Sequence, residues 1–202
     1  MVPMTTLPKP PPVFWGEVTP CEHLAEFYTE ESEFLASLQA FVGEGLAVGE
    51  AVVVIATATH LSSLEMRLRE AGFDLPAMLA AQQYLPLDAA TTLSRFMRNG
   101  WPDEALFART IGELLQTARG EGRRVRAFGE MVALLWAQGH SGATVRLEHL
   151  WNDLCASGAF ALFCAYPRIG QTRNLSHSLA EVCALHSQVA GLKLESGGCE
   201  PA

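Results

Sequence analysis

Glu130 is the side chain best placed in this sequence to do chemistry. It follows Val125-Arg126-Ala127-Phe128-Gly129 and precedes Val132, Leu135 and Trp136. Val125 and Phe128 with small Ala127 suit a buried strand, whereas the later apolar residues recur at helical spacing. A strand that stops at a glycine and turns into a helix presents its next side chain at the carboxyl edge of a sheet, where α/β proteins bind ligands. A carboxylate there must be solvated, paired or bound. Two roles stay open for it: a structural pair with Arg126 or another arginine, or contact with a ligand.

Three other runs end in comparable positions. Residues 51–56 lead to Thr57, Thr59 and His60; residues 84–87 lead to Asp88; residues 160–165 lead to Tyr166. If the four strands are parallel, one rim gathers an imidazole, two carboxylates and a phenol. Each has a plainer use. Asp88 suits a helix cap, His60 serves capping and ligand contact equally well, and Tyr166 can simply end a strand. Trp136 and Trp151 fall on apolar helix faces, which suits core packing, although aromatic walls are also what an apolar pocket needs.

The elements that must position these groups alternate along the chain. Residues 23–28 fit a short strand or a first helical turn. After Thr29, read as an N-cap, Phe34, Leu35, Leu38, Phe41 and Val42 mark a helix stopped by Gly43 and Gly45. The unbroken run at 51–56 signals a strand buried on both faces. A helix with Leu61, Leu64, Met66 and Leu68 runs up to Gly72; Tyr84 to Asp88 contains Pro86 and suits an edge strand. Helices follow with Leu93, Phe96 and Met97, then at 104–118. Ser141 caps a helix closed by Gly158, and a last helix spans 176–189. This order predicts an α/β fold, a mainly parallel sheet sandwiched by helices.

With 202 residues, 49% hydrophobic and 18% charged, the chain has ample core for one domain. The expected division is a proline-rich leader at 1–20, a domain at 21–190 and a flexible tail at 191–202. A formal net charge of −8 argues against direct nucleic-acid binding. No segment approaches the roughly 18 apolar residues of a membrane span, and the leader lacks the apolar core of a signal peptide. The five cysteines show no CxxC pair and no zinc-type Cys/His spacing, so reduced thiols, no metal and no cofactor are expected. The turn 56–63, Ala-Thr-Ala-Thr-His-Leu-Ser-Ser, has neither the glycines nor the lysine of a phosphate-binding GxxxxGK[ST] loop. GxSxG and GxGxxG are absent as well.

Several blocks in order, HLAEFY at 23–28, the lead from Gly45 into VVVIAT with His60, FGEM with Leu135-Trp136, LEHLWN at 147–152 and CAYP at 164–167, resemble the MEDS domain, the methanogen/methylotroph, DcmR sensory domain. The resemblance runs from His23 to Val189. It implies a RecA/KaiC-like, P-loop-NTPase-derived three-layer fold without its nucleotide motif, and a sensory role for small hydrocarbon-like compounds. It also implies a separate output protein, such as a histidine kinase or regulator, since the rest of the chain leaves no room for an output domain, unless the chain is part of something longer. On this reading His60, Glu130 and Thr57 are polar ligand contacts, Trp136, Trp151 and Tyr166 are walls, and His23 and Tyr28 complete the ligand-binding set. The expected protein is a cytoplasmic, non-enzymatic sensor, with homo-oligomerisation open. Its rivals are an interaction module with a closed pocket and a degenerate ATPase-like enzyme in which Glu130 activates water.

Overall fold

The computed structural model describes residues 21–168, 176–195 and 198–201, with Ser176 and residues 193–195 and 198–201 described as backbone only. The expected leader lies outside them. Strand β1 (His23–Tyr28) opens the fold, which settles the 23–28 ambiguity in favour of a strand. Then come α1 (Glu31–Ala47), β2 (Ala51–Ala56), α2 (Ala58–Glu70), the short α3 (Leu75–Ala80), β3 (Tyr84–Asp88) and α4 (Ala89–Ser94). A small hairpin, β4 (Met97–Arg98) with β5 (Trp101–Pro102), leads to α5 (Glu104–Arg119), β6 (Val125–Gly129), α6 (Met131–Ala137), α7 (Ser141–Gly158) and β7 (Ala161–Pro167). The chain closes with α8 (Ser176–Leu185), β8 (Gln188–Ala190), β9 (Leu192–Glu195) and β10 (Gly198–Pro201).

Six strands form one sheet in the order β3-β2-β6-β7-β1-β8, and every pairing in it is parallel. Residues alternate across it. Leu24, Val54, Phe128 and Phe163 face Phe34, Leu38 and Phe41 of α1 and Leu64 and Leu68 of α2. Ala25, Ile55, Ala127, Cys164 and Tyr166 face Phe107 of α5, Met131 of α6, Trp151 of α7 and Val182 of α8. Burial on both faces explains why the strands read as continuous apolar runs. The expected three-layer α/β architecture is what the chain adopts. β3, with Pro86, lies at one edge, and the three-residue β8 lies at the other.

Several boundaries differ from expectation. Helix α1 begins after Glu30, whose side chain makes no cap, rather than being capped by Thr29, and it continues through Gly43 and Gly45. Those glycines answer to close neighbours: a Cβ on Gly45 would stand 2.9 Å from Arg126 Cδ, and one on Gly43 3.4 Å from the Phe73 ring. Met66 is exposed, leaving Leu64 and Leu68 as the buried stripe of α2. Helix α4 stops at Ser94, so Phe96 lies beyond it and Met97 opens the hairpin. Ser141 is the first residue of α7 and the uncapped N-cap position falls to His140. Val189 lies in β8, which pairs with β1, because α8 ends at Leu185. Where a flexible tail is expected, β9 and β10 pair as an antiparallel hairpin. Cys21, Cys155 and Cys164 are free, but Cys183 is disulfide-bonded, so the expectation of reduced thiols fails there.

Candidate functional site

Strand β6 ends at Gly129, over which Trp151 closes: a Cβ there would meet the indole at 3.2 Å. The next residue, Glu130, still donates its backbone N–H to Ile55 O at 2.8 Å. It occupies the N-cap position of α6 without capping that helix. Both carboxylate oxygens instead reach across to the β2–α2 turn. Oε2 accepts the Thr57 N–H at 2.7 Å, and Oε1 lies 2.8 Å from His60 Nδ1. Thr57 Oγ1 accepts the His60 N–H at 3.4 Å, capping α2. On its far side His60 Nε2 lies 3.3 Å from Glu31 Oε1 at the start of α1. One imidazole thus links the starts of α1 and α2 to the end of β6.

The hydrogen bond that His60 donates to Glu130 raises the His60 pKa against the opposing effect of burial, and the charges of Glu130 and Glu31 add to the rise. Beneath lies an aromatic bed: Phe34 stacks on Tyr28 at 4.7 Å and meets His60 edge-on at 5.1 Å. Burial, followed by the repulsion of Glu130 and Glu31, pushes the Tyr28 phenol up to about 12. Helix N-termini attract anions through free N–H groups and the helix dipole. At α2 the Glu130 carboxylate already takes that place. The first βα turn of the chain is the one after β1, and residues 29–33, Thr-Glu-Glu-Ser-Glu, likewise lack glycine and lysine.

Of the residues expected at the rim, Thr57, His60 and Glu130 come together, and Tyr28 of the expected ligand-binding set lies beside them. Asp88 is exposed and caps α4, accepting the Thr91 N–H at 2.7 Å. Thr59 is exposed on the first turn of α2. Arg126 does not pair with Glu130; its guanidinium is bonded to the buried Glu50, which Arg124 also approaches at 3.0 Å. Trp151 and Tyr166 are fully buried and Trp136 nearly so, all on the opposite sheet face. Trp151 packs edge-on against Phe107 at 5.2 Å, and Trp136 lies edge-on to Tyr166 at 5.8 Å. An apolar-floored groove of about 310 Å³ lies elsewhere, between Leu93, Met97, Leu134, Leu135, Gln138 and His140.

His23 and Tyr166 belong to a second polar cluster, with Glu148 of α7, Cys164 of β7 and His186 just after α8. His23 Nε2 lies 3.2 Å from Glu148 Oε2, and His186 Nε2 lies 3.6 Å from Oε1. Cys164 Sγ stands 3.6 Å from His23 Nε2 and 3.7 Å from Glu148 Oε2, and the Tyr166 hydroxyl donates to Oε1. All five residues are buried. Burial drives His186 down to about 4 and the Cys164 thiol well up. Burial opposes ionisation of Glu148 too, yet His186, His23 and the Tyr166 hydroxyl hold it at about 2. Sequence reading passed over Glu148, Cys164 and His186. The available signal was the two-residue step from Cys164 to Tyr166, which places both side chains on one face of β7.

Residues 22–187 match the model of the MEDS family, the methanogen/methylotroph, DcmR sensory domain. This chain belongs to the MEDS family. The match spans both polar clusters and the chain from β1 to α8, which includes every strand of the sheet except β8. No curated protein matches the chain significantly. The MEDS domain is a sensory domain, and among the described residues no helix is long and apolar enough to cross a membrane.

Proposed function

We propose that this MEDS domain is a non-enzymatic, cytoplasmic sensor that receives a small, largely apolar molecule at the rim formed by Thr57, His60, Glu130 and Tyr28. The observation that carries the reading is the use of Glu130. It spends both oxygens on the start of α2 and none on its own helix. A ligand that offers His60 or Glu130 a new partner, with its apolar body against Tyr28 and Phe34, must alter a link shared by α1, α2 and β6. Binding shifts an equilibrium only when the ligand prefers one state, and this link supplies two: closed, or opened by the ligand. The output is a change in helix packing read by a separate protein, such as a histidine kinase or a transcriptional regulator.

The first experiment is native mass spectrometry of freshly purified protein, with denaturing extraction to identify a bound compound, followed by thermal-shift titration with small hydrocarbons and nucleotides. A ligand that prefers the folded state raises its stability. Glu130→Ala is expected to remain folded and to lose most of the shift caused by a hydrocarbon. An unchanged shift in the folded variant would overturn the assignment of Glu130. A second reading, an interaction module acting through helix faces, is favoured by one observation: the three aromatic residues expected as pocket walls are packed into the core. The ATPase-like reading is disfavoured, because Glu130 takes the anion position of α2 and Glu30, Glu31 and Glu33 surround the first βα turn with negative charge.

A further inference from the structure

We propose that His23, Glu148, Cys164 and His186 form a closed, four-ligand site for a divalent transition-metal ion of the zinc class. Their ligand atoms all lie within 4.8 Å of one another. With bonds of about 2.0–2.1 Å to N or O and about 2.3 Å to S, a tetrahedral zinc site has edges of about 3.3 Å between N and O ligands and about 3.6 Å where sulfur is one end. The three edges among His23, Glu148 and Cys164 are 3.2 Å for His23 Nε2 to Glu148 Oε2, 3.6 Å for Cys164 Sγ to His23 Nε2 and 3.7 Å for Cys164 Sγ to Glu148 Oε2, and His186 completes a set held within 4.8 Å.

His186 supplies the independent observation. Its Nδ1 lies 2.6 Å from the Val182 carbonyl oxygen, which can only accept, so the ring hydrogen sits on Nδ1. In the neutral ring Nε2 then presents a lone pair. That atom is buried without a hydrogen-bond partner, and it faces the Glu148 carboxylate at 3.6 Å. A lone pair and a carboxylate opposed in a buried space repel each other unless a proton or a metal cation lies between them. A metal ion relieves the repulsion with the tautomer already fixed.

The donor set agrees. One sulfur, two imidazoles and one carboxylate suit zinc or cobalt, not calcium or magnesium. A thiolate and a carboxylate neutralise a dication, so the loaded cluster buries no net charge. Loading exchanges a proton for the metal: the Cys164 S–H bond breaks, an S–metal bond forms, and the proton leaves to solvent with no change of oxidation state. Two of the four ligands have supporting groups, the Val182 carbonyl holding His186 and the Tyr166 hydroxyl holding Glu148, while His23 Nδ1 is buried without a hydrogen-bond partner.

Four protein ligands leave no open position for a reacting molecule, which is the pattern of structural and regulatory sites. The ligands come from β1, α7, β7 and the residue that follows α8. Ser187, next in the chain, donates its N–H to His23 O at 2.7 Å and leads directly into β8. Metal at this site therefore clamps α8 and seats β8 on the edge of β1. The inference stands apart from the ligand proposed at the rim.

The test uses the full chain with Cys21→Ser, which removes the exposed thiol. After chelator treatment, Co²⁺ is expected to bind at one equivalent, with a thiolate-to-cobalt charge-transfer band and the intense visible bands of tetrahedral cobalt. Zn²⁺ displaces it, releasing no further proton, while the first loading releases one. Cys164→Ser abolishes the charge-transfer band, Cys155→Ser keeps it, and His186→Gln weakens binding more than tenfold. Circular dichroism checks that each variant folds. Should Cys164→Ser not fold, the parent chain decides alone: chelation lowers its Tm, and Zn²⁺ but not Mg²⁺ restores it. Failure of the folded parent to bind stoichiometric Co²⁺, a charge-transfer band that survives Cys164→Ser, or a Tm indifferent to chelator and Zn²⁺ would each overturn the site.

Discussion

Glu26 and His60 sit on the same side of the sheet, and the two respond to pH for opposite reasons. Glu26 of β1 is buried, with the Ser37 hydroxyl on one oxygen and no partner on the other. Burial outweighs that hydrogen bond and raises its pKa from 4.5 to about 7. Because an acid with a raised pKa favours the protonated folded state, its contribution is fully present below pH 4.5 and is lost as pH rises through 7, at a cost on the order of 3 kcal/mol. Denaturant unfolding at pH 5 and pH 8 is expected to show this slope, flattened in Glu26→Gln. For His60 the partner dominates. Its raised pKa contributes stability below the unfolded value of 6.5, lost as pH climbs through the folded value. An NMR titration of the imidazole is expected to show the upward displacement in the parent and a smaller one in Glu130→Gln. An unchanged midpoint would remove Glu130 as the cause. Glu130, His60 and Thr57 were legible in the sequence because Gly129 and the turn after β2 mark strand ends. Tyr166 was drawn to the same rim because β7 is apolar on both faces, which hides the face each residue occupies.

Among the elements, α1 shows how a neighbour overrides a local signal. Two glycines within its last five residues read as a stop, yet the helix passes through both: at Gly45 Arg126 packs where a side chain would stand, whereas at Gly43 the Phe73 ring lies at ordinary contact distance. The two positions differ. Gly43→Ala places its methyl in ordinary contact with the Phe73 ring and is expected to stabilise the fold by up to about 1 kcal/mol through helix propensity. Gly45→Ala drives a methyl against Arg126 Cδ and Val52 Cγ2, beside the buried Arg126–Glu50 pair, and is expected to cost about 1–3 kcal/mol. Thermal unfolding of the two variants checks this; equal shifts would refute the packing argument. The same limit hid the end of α4, where a hairpin takes over, and the strand character of Val189, which depends on an edge of β1 that lies far away in sequence.

For the whole molecule, alternation of apolar runs was enough to read a parallel, two-sided sheet, but strand order is not written in periodicity. That order places β1 between β7 and β8, so His23 meets Cys164 and His186 across 141 and 163 residues of chain. Spacing rules for metal sites detect ligands that are neighbours in sequence, and a set assembled by topology escapes them. The order also fixes what the sheet offers at its two borders. One border strand contains Pro86, which has no N–H to donate, and the other is the three-residue β8. A long regular border is a template on which a second copy's strand can add, and proline or shortness removes it. The apolar strands that make this core so continuous are therefore shielded, at both borders of the main sheet, from edge-to-edge self-association.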